Sequence, residues 1–368
     1  MENGIATKYF AGANTCRGFY SLFHYIPTEK TKRFLILKGG PGTGKSTLMK
    51  QIATQALAAG KQTEMFYCSS DHDSLDAVSI PALGIAIVDG TAPHIIEPTI
   101  PGAYDEIINL GDFWNVSALQ PEKEIISDLM RQNSNWFKQA YQYLKEAAVV
   151  AEKLRWLMAQ AMDFNGIRKL IHQLVTELTA ALPPADGPGK ERHLFGSAIT
   201  PAGLVNLYPS ILQTVKNFYY LTGDPGSGKS YLLEQIRQAV LRAGHDVHVY
   251  RCSFDPERLD AVVIPAIDTA FVKLTYPHTF SLNPLQPVDK QITLSLGRYA
   301  KPSLLKHYAA ERSENMERFW YLLEKAVEMI KAAKKNHDLL ESYYVKAMDF
   351  ERLTKVQEKI MASVLEAN

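Results

Sequence analysis

Cysteine is nearly absent from this sequence. Three stand far apart, at Cys16, Cys68 and Cys252. No C-x-x-C pair exists, so neither a disulfide framework nor a structural zinc site organises the chain. An excess of one charge is missing too. Forty Lys and Arg face 39 Asp and Glu, a formal net of +1, and each half stays close to neutral. Non-specific attraction to nucleic acid or to a membrane surface therefore has no global electrostatic basis. No apolar run approaches the roughly 18 residues of a membrane span. The opening MENGIATKYF lacks the basic stretch and apolar core of a signal peptide. These absences lead to the expectation of a cytoplasmic protein. What is present is 46% apolar residues over 368 positions, enough to build two domains with cores of their own.

The chain repeats itself. GGPGTGKS (39–46) returns as GDPGSGKS (223–230), an offset of 184. At that offset FLILKGGPGTGKSTLMKQI (34–52) lies over FYYLTGDPGSGKSYLLEQI (218–236), and CSSDHDSLDAVSIPA (68–82) over CSFDPERLDAVVIPA (252–266). About half the positions from Phe34 to His94 are identical in the two copies. With small gaps the match extends to FAGANTCRG (10–18) over FGSAITPAG (195–203), NLG (109–111) over SLG (295–297), and AMDF (161–164) over AMDF (347–350). A repeat this long is a domain, whereas a solenoid uses shorter units. The seam ALPPADGPGKER (181–192) reads as a linker. The expected organisation is a first domain over 1–182, a linker over 183–192 and a second domain over 193–368.

Within one copy, RFLILK (33–38) is a short apolar run stopped by glycine and predicts a buried strand. STLMKQIATQALAAG has helical spacing, with Gly60 as its C-terminal cap. QTEMFYC and GIAIVDG predict further strands. Strand, loop, helix, strand is the pattern of an α/β domain with a parallel sheet. After the sheet each copy turns helical. Apolar residues recur from Ile126 through Leu144 to Met158; Asp163 then caps a helix with Ile167, Leu170, Ile171, Leu174 and Leu178 on one face. The second copy follows suit, with Asp349 as cap before Leu353, Val356 and Ile360. Each domain is expected to end in a helical hairpin, which packs on its own domain or its sister hairpin, or else binds a protein partner.

G-x-x-x-x-G-K-S is the pattern of a phosphate-binding loop. Such a loop points backbone N–H groups at a polyphosphate, needs glycine for its dihedrals, and opens the N-terminus of a helix toward the negative charge. The expected contacts are Gly39, Gly40, Pro41, Gly42, Thr43, Gly44, Lys45, Ser46 and Thr47 in the first copy. In the second they are Gly223, Asp224, Pro225, Gly226, Ser227, Gly228, Lys229, Ser230 and Tyr231. The ligands implied are ATP and Mg²⁺. Lys45 and Lys229 would reach the phosphates, and Ser46 and Ser230 the metal.

The metal also needs an acid, usually at the end of a neighbouring apolar strand. IAIVD supplies Asp89, but the aligned residue in the second copy is Lys273, which holds no Mg²⁺. Unequal sites are expected, unless Lys273 faces solvent and another acid serves. Asp71 and Asp255, in the repeated C-S-x-D, are such acids; Asp71 would hold metal, water or an acceptor, and Asp255 would join Ser230 at the second metal. Asp76 reads as a helix cap, Cys68 and Cys252 as packing thiols. His94 and His278 are γ-phosphate sensors or turn fillers. Arg17, Arg33 and Arg258 are candidate arginine fingers or plain surface. FAGANT and FGSAIT would pack on a base or on a sheet edge. No N-K-x-D or LSGGQ sequence occurs, which speaks against Ras-type and ABC-type NTPases.

With both loops, CSSDHDSLD (68–76) and DGTAPH (89–94), the chain resembles tandem P-loop ATPase-like proteins of Firmicutes over almost its whole length. The resemblance implies a P-loop fold and ATP binding. The loop text is also similar to nucleotide kinases and AAA-type ATPases. The expectation is an intramolecular pseudo-dimer that binds and hydrolyses Mg-ATP, with Lys45, Asp89, Asp71 and His94 as catalytic groups. The rivals are a small-molecule or nucleotide kinase with an acceptor at 69–74, and a non-hydrolysing nucleotide sensor.

Overall fold

The computed structural model describes residues 4–275, 279–282 and 286–365. The first half runs β1 (Ala6–Phe10), β2 (Gly12–Thr15), β3 (Gly18–Ser21), β4 (Arg33–Lys38), α1 (Lys45–Ala58), β5 (Thr63–Tyr67), β6 (Leu75–Ile80), β7 (Ile85–Asp89), β8 (Asp105–Asn109), the single-turn α2 (Val116–Leu119), α3 (Lys123–Ala161) and α4 (Phe164–Ala181). The second half runs β9 (Glu191–Phe195), β10 (Ser197–Thr200), β11 (Gly203–Asn206), the short α5 (Tyr208–Ile211), β12 (Asn217–Thr222), α6 (Lys229–Arg242), β13 (Val247–Arg251), β14 (Leu259–Ile264), β15 (Thr269–Lys273), β16 (Lys290–Ser295), α7 (Pro302–His307), α8 (Ala309–Lys346) and α9 (Phe350–Leu365). The fold is α/β, a large mixed sheet flanked by helices. No helix among the described residues is long and apolar enough to cross a membrane.

Twelve strands form one sheet in the order β16-β12-β15-β14-β13-β9-β1-β5-β6-β7-β4-β8. From the centre outward the two sides mirror one another. β1 and β9 meet antiparallel at Phe10 and Phe195. RFLILK is β4, and Phe34 through Leu37 are buried, as a strand covered on both faces requires. FAGANT does not sit at an edge. It carries the chain from β1 into β2 at the centre, where Asn14 Nδ2 donates to Ile199 O at 3.1 Å. The seam gives way to β9 at Glu191, so the last two residues of the expected linker are strand.

LDAVSI is a strand that sequence periodicity did not reveal. As β6 it lies antiparallel between β5 and β7, with all six residues buried. A short run broken by an aspartate carries no decisive period. Asp76 is therefore a strand residue and not a helix cap.

The helical ends do not form hairpins. α3 lies along α8, with Ala140, Ala147 and Ala326 fully buried where the two helices approach. α4 leaves α3 and seats on α6 of the second half, where Ile167, Ile171, Leu174 and Leu178 share a core with Leu232, Leu233, Ile236 and Val240. α9 does the same on α1, through Ile360 and Val364 against Leu48, Met49 and Ile52. The expected caps are present: Asp163 accepts from Asn165 N at 3.0 Å and Asp349 from Arg352 N at 3.1 Å. Each α-to-α turn is bonded to the opposite half. Asp163 N donates to Tyr299 O at 2.7 Å and Asp349 N to Phe113 O at 2.9 Å. The reason is in the stripes. α3 and α4 present apolar faces to different neighbours, and only the crossing buries both.

Candidate functional site

The first loop joins β4 to α1. Gly42 (φ +70°) and Gly44 (φ +77°) lie in the left-handed region, where a side chain is strained. Lys45 Nζ donates to Gly39 O at 2.7 Å and Gly40 O at 2.8 Å, and Thr43 Oγ1 donates to Gly40 O at 2.9 Å. Lys45 Nζ also lies 3.6 Å from Asp89 Oδ2. Asp89 reaches it because β7 runs parallel to β4 with Leu37 opposite Asp89. Its other oxygen accepts from Thr91 N at 2.9 Å. Ser46 Oγ accepts from Leu75 N at 2.9 Å. Burial lowers the Lys45 pKa, against the pull of Asp89, Glu341 and Asp76. Thr47 projects from the first turn of α1 and is exposed.

Asp76 belongs to this group although sequence reasoning set it aside. It is 5% exposed, and burial pushes its pKa up to about 6, His94 opposing and Asp89 adding to the rise. His94 Nε2 lies 4.0 Å from Asp76 Oδ1, and the ring stacks on Phe23 at 4.3 Å. Both ring nitrogens are buried without a hydrogen-bond partner. Asp71 stands differently. It accepts from Ser74 Oγ at 2.9 Å and pairs with Lys334 of α8 at 3.4 Å, so it is tied to the opposite half.

The second loop repeats the backbone. Gly226 (φ +94°) and Gly228 (φ +95°) are left-handed, and Lys229 Nζ donates to Gly223 O and, at 2.9 Å, to Asp224 O. The side chains around it differ. Lys273 takes the register of Asp89, opposite Leu221. It does not face solvent: it is 8% exposed and its Nζ pairs with Asp260 Oδ1 at 2.9 Å. Ser230 Oγ donates to Leu259 O at 3.4 Å. Asp255 accepts from Arg258 Nε at 3.0 Å and lies 3.9 Å from Arg155 Nη1. Held by two guanidinium groups, it does not join Ser230 as a metal donor. Burial and the neighbouring Lys273 push the Lys229 pKa down to about 7. Pro225 and Tyr231 are exposed, and Asp224 pairs with Arg312. His278 lies outside the described residues.

Both loops are covered from the opposite half. A Cβ on Gly42 would fall 2.7 Å from Val345 Cγ2 of α8, and one on Gly44 3.0 Å from Gln357 of α9. A Cβ on Gly226 would fall 2.5 Å from the carbonyl oxygen of Arg155 in α3. Counting from the two AMDF segments, Arg155 and Glu341 hold equivalent places. Glu341 borders Gly42 with its side chain, whereas Arg155 borders Gly226 with its backbone and its guanidinium lies beside Asp255. Arg155 lies 71 positions from Gly226 and Glu341 299 from Gly42, and no spacing pointed to them. Of the other arginines, Arg17 pairs with exposed Glu257 and Arg33 with Glu106. The best-formed cavities, of about 350 and 250 Å³, are lined by no loop residue.

Chemically, each loop offers inward N–H groups, a helix N-terminus and a lysine, the means to hold a polyphosphate. The first also fits Mg²⁺, which keeps several waters and takes one or two protein oxygens. Ser46 and Asp89 would be those oxygens, and no cluster of three or more His, Cys, Asp or Glu suited to a metal exists among the described residues. The second does not fit Mg²⁺, since an ammonium occupies the carboxylate position. A family model described as Nephrocystin 3, N-terminal, matches residues 14–82, which hold the first loop, α1 and β6. No curated protein and no solved structure matches the chain.

Proposed function

We propose that this chain is an ATP-binding protein with Mg²⁺-dependent ATPase activity, built as a duplicated pair of P-loop domains with two unequal nucleotide sites. One observation carries the reading. Lys45, Ser46 and Asp89 converge at a left-handed glycine loop, with Asp89 on the parallel strand beside the loop strand. Lys45 would exchange the carbonyls of Gly39 and Gly40 for phosphoryl oxygens and hold the charge that develops on them. Ser46 and Asp89 would hold Mg²⁺, which when bound neutralises charge on the β- and γ-phosphoryl oxygens. Asp76, buried beside Asp89 and His94, is the better placed group to orient water and take its proton. Asp71 is occupied by Lys334. The seating of α8 and α9 on loop 1 favours one second reading, a sensor that binds nucleotide and changes shape.

The test is phosphate release from ATP with Mg²⁺ and no acceptor, on wild type, Lys45→Ala and Lys229→Ala. Turnover that requires Lys45 and is only tuned by Lys229 supports the unequal ATPase. Tight ATP binding with no release by wild type overturns it in favour of the sensor.

A further inference from the structure

The charges around the two loops have opposite balance. Three carboxylates, Asp89, Asp76 and Glu341, act on Lys45. Their wider surroundings add the Asp71–Lys334 pair. Lys229 meets two carboxylates, Asp260 and Asp224, and a second ammonium, Lys273. Asp260 is bonded to Lys273 and Asp224 to Arg312. Asp255 is shared by Arg258 and Arg155. Among the described residues these carboxylates near loop 2 are each paired with a cation, and Lys229 Nζ is bonded to the loop carbonyls of Gly223 and Asp224. Two buried ammonium groups beside each other repel unless an anion lies between them.

We infer that loop 2 is a metal-independent polyphosphate site, in which Lys273 supplies the positive charge that Mg²⁺ supplies at loop 1. This rests on the nucleotide-binding reading above and specifies how the second site meets that ligand. An acidic site needs the cation delivered with the triphosphate. A basic one takes the anion bare, and a divalent ion there would be repelled by Lys273. The ligand class is a nucleoside tri- or diphosphate free of metal. α3 of the first half covers loop 2 at Arg155, whose guanidinium lies beside Asp255.

The experiment is equilibrium binding of fluorescent ATP to full-length Lys45→Ala, which keeps site 2, and to Lys229→Ala, which keeps site 1, in Mg²⁺ and in EDTA. Lys45→Ala is expected to bind within about threefold in the two buffers, and Lys229→Ala to lose about tenfold or more in EDTA. Adding Lys273→Gln to Lys45→Ala is expected to weaken binding in EDTA about tenfold. Retained helical circular dichroism shows that these variants fold. If Lys45→Ala loses binding in EDTA as steeply as Lys229→Ala does, the inference is overturned while nucleotide binding stands. If neither variant binds in either buffer, the nucleotide reading falls and takes this one with it.

Discussion

The two glycine loops share a backbone and differ in the charge that ends the neighbouring strand. Left-handed glycines, the lysine bonded to loop carbonyls and the serine near the facing leucine recur in both. Asp89 against Lys273 then puts a carboxylate beside one loop strand and an ammonium beside the other. The backbone recurs because glycine dihedrals and strand register tolerate little change. A side chain at a strand end is free to change sign, and with it the ion the site accepts.

The strongest way to break the comparison is at the lysines. Lys45→Ala is expected to cut phosphate release about 10²–10³-fold, as loss of a charge-stabilising group does, whereas Lys229→Ala changes it less than about threefold. Equal losses would make the two sites equivalent.

Next in size is the pair that occupies the acid position in loop 2. Lys273→Met removes the ammonium from buried Asp260 and is expected to cost about 3–5 kcal/mol in urea unfolding. Lys273→Met with Asp260→Leu should recover most of that, because an apolar pair of similar volume replaces a buried ion pair at little cost. A double variant no more stable than the single would show that the pair does more than satisfy itself.

Leu174→Ala opens a hole where α4 seats on α6 and is expected to cost about 2–4 kcal/mol. Amide exchange should quicken over residues 223–230 and stay unchanged over 39–46. Leu353→Ala, on α9 and close to Gly44, should reverse that pattern. Exchange that rises at both loops together would mean the seats act as one.

The smallest effect lies in the central strands. His193 in β9 is 3% exposed and its Nδ1 accepts from Arg251 Nε at 3.1 Å. Burial and Arg251 hold its pKa below 6.5. The unfolded chain then binds more protons in the window just under 6.5, so stability is present above that pH and is lost as pH falls through it. The first half has Lys8 and Tyr67 at these places. Melting temperature is expected to drop between pH 7.5 and 5.5, and His193→Gln, which keeps an acceptor, should flatten the drop.

Local order was readable in particular residues. RFLILK announced β4 by an apolar run stopped at glycine, and Asp163 and Asp349 announced their helices as caps. LDAVSI was not readable, since six residues around an aspartate have no decisive period. Its misreading hid Asp76, the buried carboxylate nearest the first loop's acid. Asp255 was only half legible: Arg258 stands three residues on, but its second arginine, Arg155, comes near only once α3 crosses.

The sequence by itself determined the repeat, both loops with the helices they open, and the exchange of Asp89 for Lys273, because these follow from residue type and neighbouring positions. Tertiary structure alone decided which half covers which loop. Two apolar stripes on successive helices say that each must be buried, but not against what. Only the joined sheet, with β1 beside β9, brings α6 within reach of α4 and α1 within reach of α9. That crossing puts Arg155 over one loop and Glu341 over the other.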